Sequence, residues 1–309
     1  MTRILITGAA GMVGRALAEA LPAADIVATD LARGALPDHI RFRRMDVTGQ
    51  DPETIIAEER PEVVVHLASI VTPPPGMTRD LAHAVDVTGT RNVLAACSTY
   101  GVRRLVVTSS GAAYGYHADN PVPLNEDAPC RGNPEFAYAD HKRQVEEILA
   151  AARETHPELE QVVLRVGTVL GAGTDNQITA LFHRPRLLAV KGSDSPFVFI
   201  WTRDLARIVQ RAATDGPAGI FNVAGDGWLS VDDLAAKLGK PVLRLPAWVL
   251  KTALAIARPL RLTRYGPEQV RFLQYRPVLA NDRLKTVFDY VPELNSAQVF
   301  DLWQKEAGL

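Results

Sequence analysis

Tyr138 and Lys142, in the run Tyr-Ala-Asp-His-Lys, are the side chains of this sequence best placed to move a proton. Four positions apart on a helix they share one face and lie adjacent. Tyrosine ordinarily titrates near 10, so acting near pH 7 requires roughly 4 kcal/mol of differential stabilisation of the phenolate. A neighbouring positive charge works in that direction. The spacing alone is common among helices, and its meaning rests on the elements that position it.

The strongest of those stands near the start of the chain. Thr7-Gly8-Ala9-Ala10-Gly11-Met12-Val13-Gly14 follows an apolar run, Arg3–Thr7, and opens a helical pattern. Gly8 permits a tight turn, Gly11 lets backbone approach a pyrophosphate, and Gly14 lets helix and strand pack closely. The helix N-terminus then offers free N–H groups to phosphates, with Ala10, Met12 and Val13 lining the turn. A glycine pattern set strand–loop–helix reads as a dinucleotide site. Asp30, ending the second predicted strand, suits the adenosine ribose hydroxyls and would repel a 2′-phosphate, which favours NAD over NADP. Arg33 keeps NADP open. Asp46-Val47 after the third strand either meets the adenine edge or only caps a turn. An oxidised nicotinamide beside Lys142 would complete the shift that Tyr138 needs.

The predicted strands are Arg3–Thr7, Asp25–Asp30, Ile40–Met45, Val63–Leu67, Arg104–Ser109 and Gln161–Val166. They alternate with helical stretches at Met12–Leu21, Pro52–Glu59, Arg79–Tyr100 and Phe136–Glu154. This alternation predicts an α/β fold, a Rossmann-type doubly wound parallel sheet with a smaller, mostly helical C-terminal lobe. Runs such as Val63-Val64-Val65 suit strands covered on both faces. A strand at Phe197–Trp201, a helix at Arg203–Ala213 and a strand at Ile220–Val223 read as a return to the main sheet. The expected division is 1–166 with 197–224 for the dinucleotide domain, and 167–196 with 225–309 for the substrate lobe.

The chain has 309 residues, 47% hydrophobic and 22% charged, with a net charge of -1, so neither nucleic acid nor a membrane is the expected main partner. Two cysteines, Cys97 and Cys130, make no disulfide framework, and no His/Cys/carboxylate cluster has metal spacing, so no metal is expected. No basic flank and apolar core precede Arg3, and no stretch is long and uncharged enough to span a bilayer. The expected setting is cytoplasmic. From Lys240 to Lys285, ten Lys/Arg face two acids, a balance of 10 − 2 = +8. The segment is a solvated face, or a grip on an anionic substrate with Arg276 foremost. With Trp248-Val249-Leu250, Leu254 and Ile256 it also fits a membrane-surface helix or a lid over an apolar substrate.

In this order, the glycine loop, Asp30, Asp46, His66-Leu67-Ala68, Ser109-Ser110…Tyr114-Gly115 and Tyr138…Lys142 resemble the extended short-chain dehydrogenase/reductases, the NAD-dependent epimerase/dehydratase family. The likeness is close over about 1–225. It implies that Ser110 hydrogen-bonds the reacting oxygen, that Tyr138 takes the hydroxyl proton, and that Lys142 lowers the tyrosine pKa and binds the nicotinamide ribose. It places Leu67, Ala68 and Ser69 beside that ribose, and Gly111 and Ala112 with Ser110 on the substrate side. Ser109 is a supporting turn residue. His66, His117 and His141 are expected to be satisfied structural histidines rather than catalysts.

Departures from the family pattern narrow the chemistry. The stretch Ser110-Gly111-Ala112-Ala113-Tyr114 contains no acid and no cysteine, which leaves elimination, decarboxylation and carbon-acid epimerisation without their usual general acid or base. Thr168 stands where the family usually places a substrate-holding Asn, and Ser195-Pro196 where it often places a diphosphate-gripping Arg. Arg276-Pro277 does resemble a later phosphate-binding pair. The expected activity is hydride transfer between NAD and a secondary alcohol or ketone that is sugar-like, polyol or acidic. The alternatives are a nucleotide-sugar 4-epimerase and an NAD-sensing regulator on the same fold. The resemblance also implies a homodimer through Arg79–Tyr100 and Phe136–Glu154.

Overall fold

Short β-branched runs that bury both faces give the chain its centre. In the computed structural model, which describes residues 2–21, 26–74, 76–174, 176–260, 262–263 and 266–309, they form one seven-stranded parallel sheet. In chain order the elements begin with β1 (Ile4–Thr7), α1 (Met12–Ala20), β2 (Ile26–Asp30), β3 (Arg41–Arg44), α2 (Asp51–Glu59) and β4 (Val63–His66). A long helix follows in three parts: α3 (Arg79–His83), a π-helical turn (Ala84–Thr88) and α4 (Gly89–Thr99). Then come β5 (Arg104–Ser110), a 3-10 turn (Gly111–Tyr114), α5 (Ala137–Thr155), β6 (Glu160–Val166), β7 (Thr168–Leu170), α6 (Thr179–Phe182) and β8 (Leu187–Val190). The chain continues through β9 (Phe199–Trp201), α7 (Thr202–Ala213), β10 (Gly219–Val223), α8 (Val231–Leu238) and β11 (Val242–Leu245). It ends with α9 (Ala247–Ala257), α10 (Gln269–Gln274), α11 (Asp282–Thr286) and α12 (Ser296–Ala307).

The sheet order is β10-β6-β5-β4-β1-β2-β3, so the winding reverses between β1 and β4. In open sheets of this kind such a reversal is where a ligand binds, in the crevice beyond the carboxyl ends of the strands. Successive strand residues point to opposite faces, and both are packed. Ile4, Ile6, Val63, Val65 and Val106 belong to one buried cluster, Leu5, Val64, Leu105 and Val107 to another.

Two expectations are corrected. The run at Phe197–Trp201 does not return to the main sheet: β9 pairs with β7 in a separate two-stranded sheet, and only β10 joins β6. An apolar run fits either partner, because periodicity sets the faces of a strand but not its neighbour. The helix expected over Arg79–Tyr100 is interrupted by the π turn, which rotates the segment around Asp86. Asp25, Asp175, Arg261 and Arg264 lie outside the described residues.

The C-terminal lobe packs its own aromatic core of Phe182, Phe197, Phe199, Phe300 and Trp303. It is tied to the loop between β5 and α5 by a short clasp, in which Leu124 N–H donates to Val278 O (2.7 Å) and Ala280 N–H to Leu124 O (2.8 Å). Among the described residues no helix is long and apolar enough to cross a membrane.

Candidate active site

The glycine turn is enforced by sterics. Gly8 has φ +68°, and a Cβ there would come within 2.6 Å of Ala68 N, so the loop after β1 lies directly against the one after β4. A Cβ at Gly14 would meet Gly8 O at 2.5 Å, which fixes how closely α1 approaches the turn. At Gly11 the nearest atom to an added Cβ is Gly8 O at 3.2 Å, and Gly11 itself is exposed. No side chain caps the N-terminus of α1, so its first N–H groups remain available at this turn.

Asp30 Oδ2 accepts from Ala10 N–H (3.0 Å) and Oδ1 from Leu31 N–H (2.7 Å), which anchors the carboxylate at the end of β2. The Arg33 guanidinium donates through Nη2 to Pro37 O (2.7 Å) and Ile40 O (3.0 Å), while its Nε has no hydrogen-bond partner among the described residues. Asp46 caps its turn: Oδ1 accepts from Thr48 N–H (2.9 Å) and Thr48 Oγ1 (2.7 Å), holding the carboxyl below its usual range. Val47 is buried and its carbonyl accepts from Asn92 Nδ2 (2.9 Å). The uncapped helix end, the crowded glycines and the anchored Asp30 together fit a dinucleotide.

Ser110 and the α5 residues meet at the carboxyl end of β5. Tyr138 stands close enough to Ser110 for the serine to lower the phenol's pKa, and Ser110 Oγ accepts from Ala112 N–H (3.1 Å). The buried Lys142 ammonium donates to Thr108 O (2.9 Å) and stands 5.7 Å from the Tyr138 ring centroid. Burial pushes the Tyr138 phenol up to about 12; the Ser110 contact opposes this and the Asp86 charge adds to it. The groups of the chain therefore do not by themselves produce the lowered phenol expected from Lys142. Desolvation outweighs a charge that is itself depressed by burial.

Gly111 and Thr168 follow the paired ends of β5 and β6, where Ser110 is in register with Val166. Leu279 of the C-terminal lobe closes over Gly111, within 3.1 Å of where its Cβ would be. Thr168 N–H donates to Val198 O (3.3 Å). Arg276 lies further out. Its guanidinium stacks 3.7 Å above the Phe197 ring centroid, with Phe272 at 5.4 Å. Nε and Nη2 donate to Ser195 O, and Ser195 sits at φ +25°. No carboxylate among the described residues pairs with Arg276, and burial lowers its pKa to about 9. Tyr116 links the two ends: it is close enough to Tyr138 and Arg276 for each to affect its titration, and it meets Phe136 (4.9 Å) and Phe272 (5.3 Å) edge-on.

A buried polar network backs the catalytic pair. His66 bridges Thr7 Oγ1 (2.7 Å) and Thr90 Oγ1 (3.0 Å) and is held neutral, its pKa pushed down to about 3 by burial first. Asp86 accepts from Ser69 Oγ (2.9 Å) and Ile70 N–H (2.8 Å) and pairs with His141 Nδ1 (3.1 Å). His141 Nε2 has no partner among the described residues, so this histidine is only half satisfied. His117 Nε2 contacts Gly132 O (2.8 Å), and Ser109 Oγ is buried without a partner among the described residues.

The model of the NAD-dependent epimerase/dehydratase family matches residues 4–224. The chain belongs to that family. Its members are extended short-chain dehydrogenase/reductases, and their cofactor is NAD. A dTDP-4-dehydrorhamnose reductase of Streptomyces griseus is 31% identical over 276 residues, covering 85% of this chain and 84% of the relative. The decarboxylating sterol-4-alpha-carboxylate 3-dehydrogenase of Saccharomyces cerevisiae is 28% identical, covering 82% and 75%. Among solved structures, the UDP-glucose 4-epimerase of Thermotoga maritima with UDP-glucose superposes with a TM-score of 0.77 at 19% identity, covering 99% of each chain. The Thermus thermophilus UDP-glucose 4-epimerase with NAD gives 0.73 at 23%, covering 99% of this chain and 98% of that one. These likenesses carry the fold.

Within this family member, Asp86, Tyr116 and Phe272 are the site-facing residues that sequence reasoning missed. For Asp86 a signal existed. With Ala82 and Thr90 it lies on the inward side of its helix, where an acid is out of place unless it has work to do.

Proposed function

We propose that this chain is an NAD-dependent oxidoreductase that moves hydride between the cofactor and a secondary alcohol or ketone, with Tyr138 as acid and base. The observation that carries this is the meeting of Tyr138, Ser110 and Lys142 at the end of β5. Segments 1–166 and 197–224 hold the dinucleotide, and 167–196 with 225–309 hold the substrate. The turn Gly8–Gly14 takes the pyrophosphate and Asp30 the adenosine ribose, with Asp46 and Val47 near the adenine and Leu67 to Ser69 near the nicotinamide ribose. When bound, NAD accepts or returns the hydride and, oxidised, adds a positive charge beside the phenol.

Ser110 donates a hydrogen bond to the substrate oxygen and holds it against Tyr138. A phenol near 12 is protonated at neutral pH, so Tyr138 is poised to give a proton to a carbonyl oxygen as it becomes an alcohol. In the reverse direction it must first lose that proton, which the Lys142 ammonium assists. Arg276, without a carboxylate partner, favours an anionic or sugar-like substrate.

Nucleotide-sugar 4-epimerisation uses the same three residues, and Arg276 is the grip that would serve it. A regulator that only senses NAD would not need Tyr138 and Lys142 kept together. Thermal shift with NAD present, comparing nucleotide sugars, sugar acids and small hydroxy acids, identifies the ligand class, since saturation at 100 times Kd adds about 2.7 kcal/mol. Net NADH formation with that ligand supports the dehydrogenase, and product without net NADH supports the epimerase. Tyr138→Phe is expected to cost about 10³-fold in turnover; unchanged turnover would end both enzyme readings.

A further inference from the structure

The outer face of α9 has no role in the site described above. The helix packs inward through Leu250, with Ala247 and Leu254 alongside, against Val190, Val270 and Leu273. On the opposite side Trp248 and Ile256 are 70% and 58% exposed, and the chain beyond presents Leu260 and Leu262 at 62% and 77%. Trp248, Thr252 and Ile256 recur every fourth residue, so they form one outward stripe. Such large apolar side chains are not left in water together without a partner.

The charge of the same stretch says which partner. Between Leu234 and Pro267 the sequence contains no Asp or Glu, while it carries Lys237, Lys240, Arg244, Lys251, Arg258, Arg261 and Arg264. Lys237 and Arg244 are paired with Asp301 and Asp232, so the positive charge of the outer face rests on Lys251 and Arg258 among the described residues. Lys251 lies on α9 itself, exposed and without a carboxylate partner among the described residues. Arg258, which follows the helix, is 59% exposed and only loosely paired with Glu268 at 3.8 Å.

We propose that α9 and the following turn dock this chain on the surface of an anionic lipid bilayer. Trp248, Ile256, Leu260 and Leu262 enter the boundary between headgroups and acyl chains. Lys251 and Arg258 stay at the level of the lipid phosphates, where basic residues near the surface are attracted to anionic headgroups. A second copy is the poorer occupant: an isologous contact would set two acid-free, basic segments against each other. The docking is peripheral, and it needs neither the cofactor nor the reaction proposed above. Its inner face touches α10, which carries Phe272, so the docked element is one helix away from the aromatic end of the site.

Flotation of the full chain with phosphatidylcholine vesicles, with and without phosphatidylserine, tests this. Binding is expected only to the anionic vesicles, and raised salt should weaken it. Trp248→Ser with Ile256→Asp should lower the bound fraction at least tenfold while NAD binding and the melting temperature hold. Lys251→Glu, an exposed single change that leaves the apolar stripe in place, should weaken it several-fold and provides the test if the double variant misfolds. Equal binding by wild type and Lys251→Glu, or no binding to anionic vesicles at low salt, overturns the proposal. So does a concentration-dependent dimer in light scattering that the same substitutions abolish, since it would assign the stripe to a second copy.

Discussion

The two sides of the crevice are held by different physics. On the β4–α5 side His66, Asp86, His141 and Lys142 are buried and joined by directional bonds through Thr7, Thr90, Ser69 and Thr108. On the C-terminal side Tyr116, Phe136, Phe272, Phe197 and Arg276 meet mainly by ring contacts. A directional network leaves an unpaired buried group whenever one member is lost, which costs about 1–3 kcal/mol each time. Ring contacts lose area gradually and tolerate exchange. The first arrangement suits a reaction that must repeat without variation, and the second suits a surface that can be altered for a new substrate.

The largest effect that would sharpen this contrast comes from acid. His66 has a folded pKa near 3 against about 6.5 in the unfolded chain, so the unfolded state binds the extra proton between those values. Its neutral form contributes stability that is complete above pH 6.5 and is lost as pH falls toward 3, on the order of 4–5 kcal/mol. Asp86, also depressed, adds loss only below about pH 4. Urea unfolding followed from pH 7.5 to 4 should show the decline, and His66→Gln should flatten it; an unchanged slope would disconnect His66 from it.

Asp86→Asn comes next. It is expected to cost about 1–3 kcal/mol in stability through the weakened His141 contact. It should also move the Tyr138 limb of the pH–rate profile to lower pH, because the Asp86 charge raises that phenol. A profile left in place would make Asp86 purely structural. On the other side, Arg276→Met should leave melting nearly unchanged yet raise KM for an anionic substrate about tenfold or more, with kcat little altered. Phe272→Leu is the smallest, under about 1.5 kcal/mol in a thermal melt. If Phe272→Leu proved costlier than Asp86→Asn, the contrast between the two sides would fail.

What the sequence revealed follows the same divide. Gly8 and Gly14 were legible because backbone geometry leaves no other residue room there. The parallel sheet was legible because strands such as Val63–His66 bury both faces and so lack alternation. The partner of Phe199–Trp201 was not, since pairing is a tertiary choice. The opposing influences on Tyr138 were not legible for a related reason: the sequence displays Lys142 four residues away but hides both burial and Asp86, more than 50 residues upstream. Tyr116 and Phe272 come together from distant segments, and nothing local marks them as neighbours.

The clasp between Leu124 and the Val278–Ala280 stretch has a consequence for timing. Two short main-chain bonds hem the lobe to the loop between β5 and α5, directly beside Leu279, which lies over Gly111. A lid-like swing of the lobe would have to break both bonds, at about 1 kcal/mol net each. Admission and discharge fall to the side chains at the rim, such as Phe272 and Tyr116, and to the loop at Ser195. Such rotations and loop motions run on nanoseconds to microseconds rather than the milliseconds of a domain hinge. Turnover in this molecule should therefore be paced by the chemical step, with a full isotope effect on the transferred hydrogen.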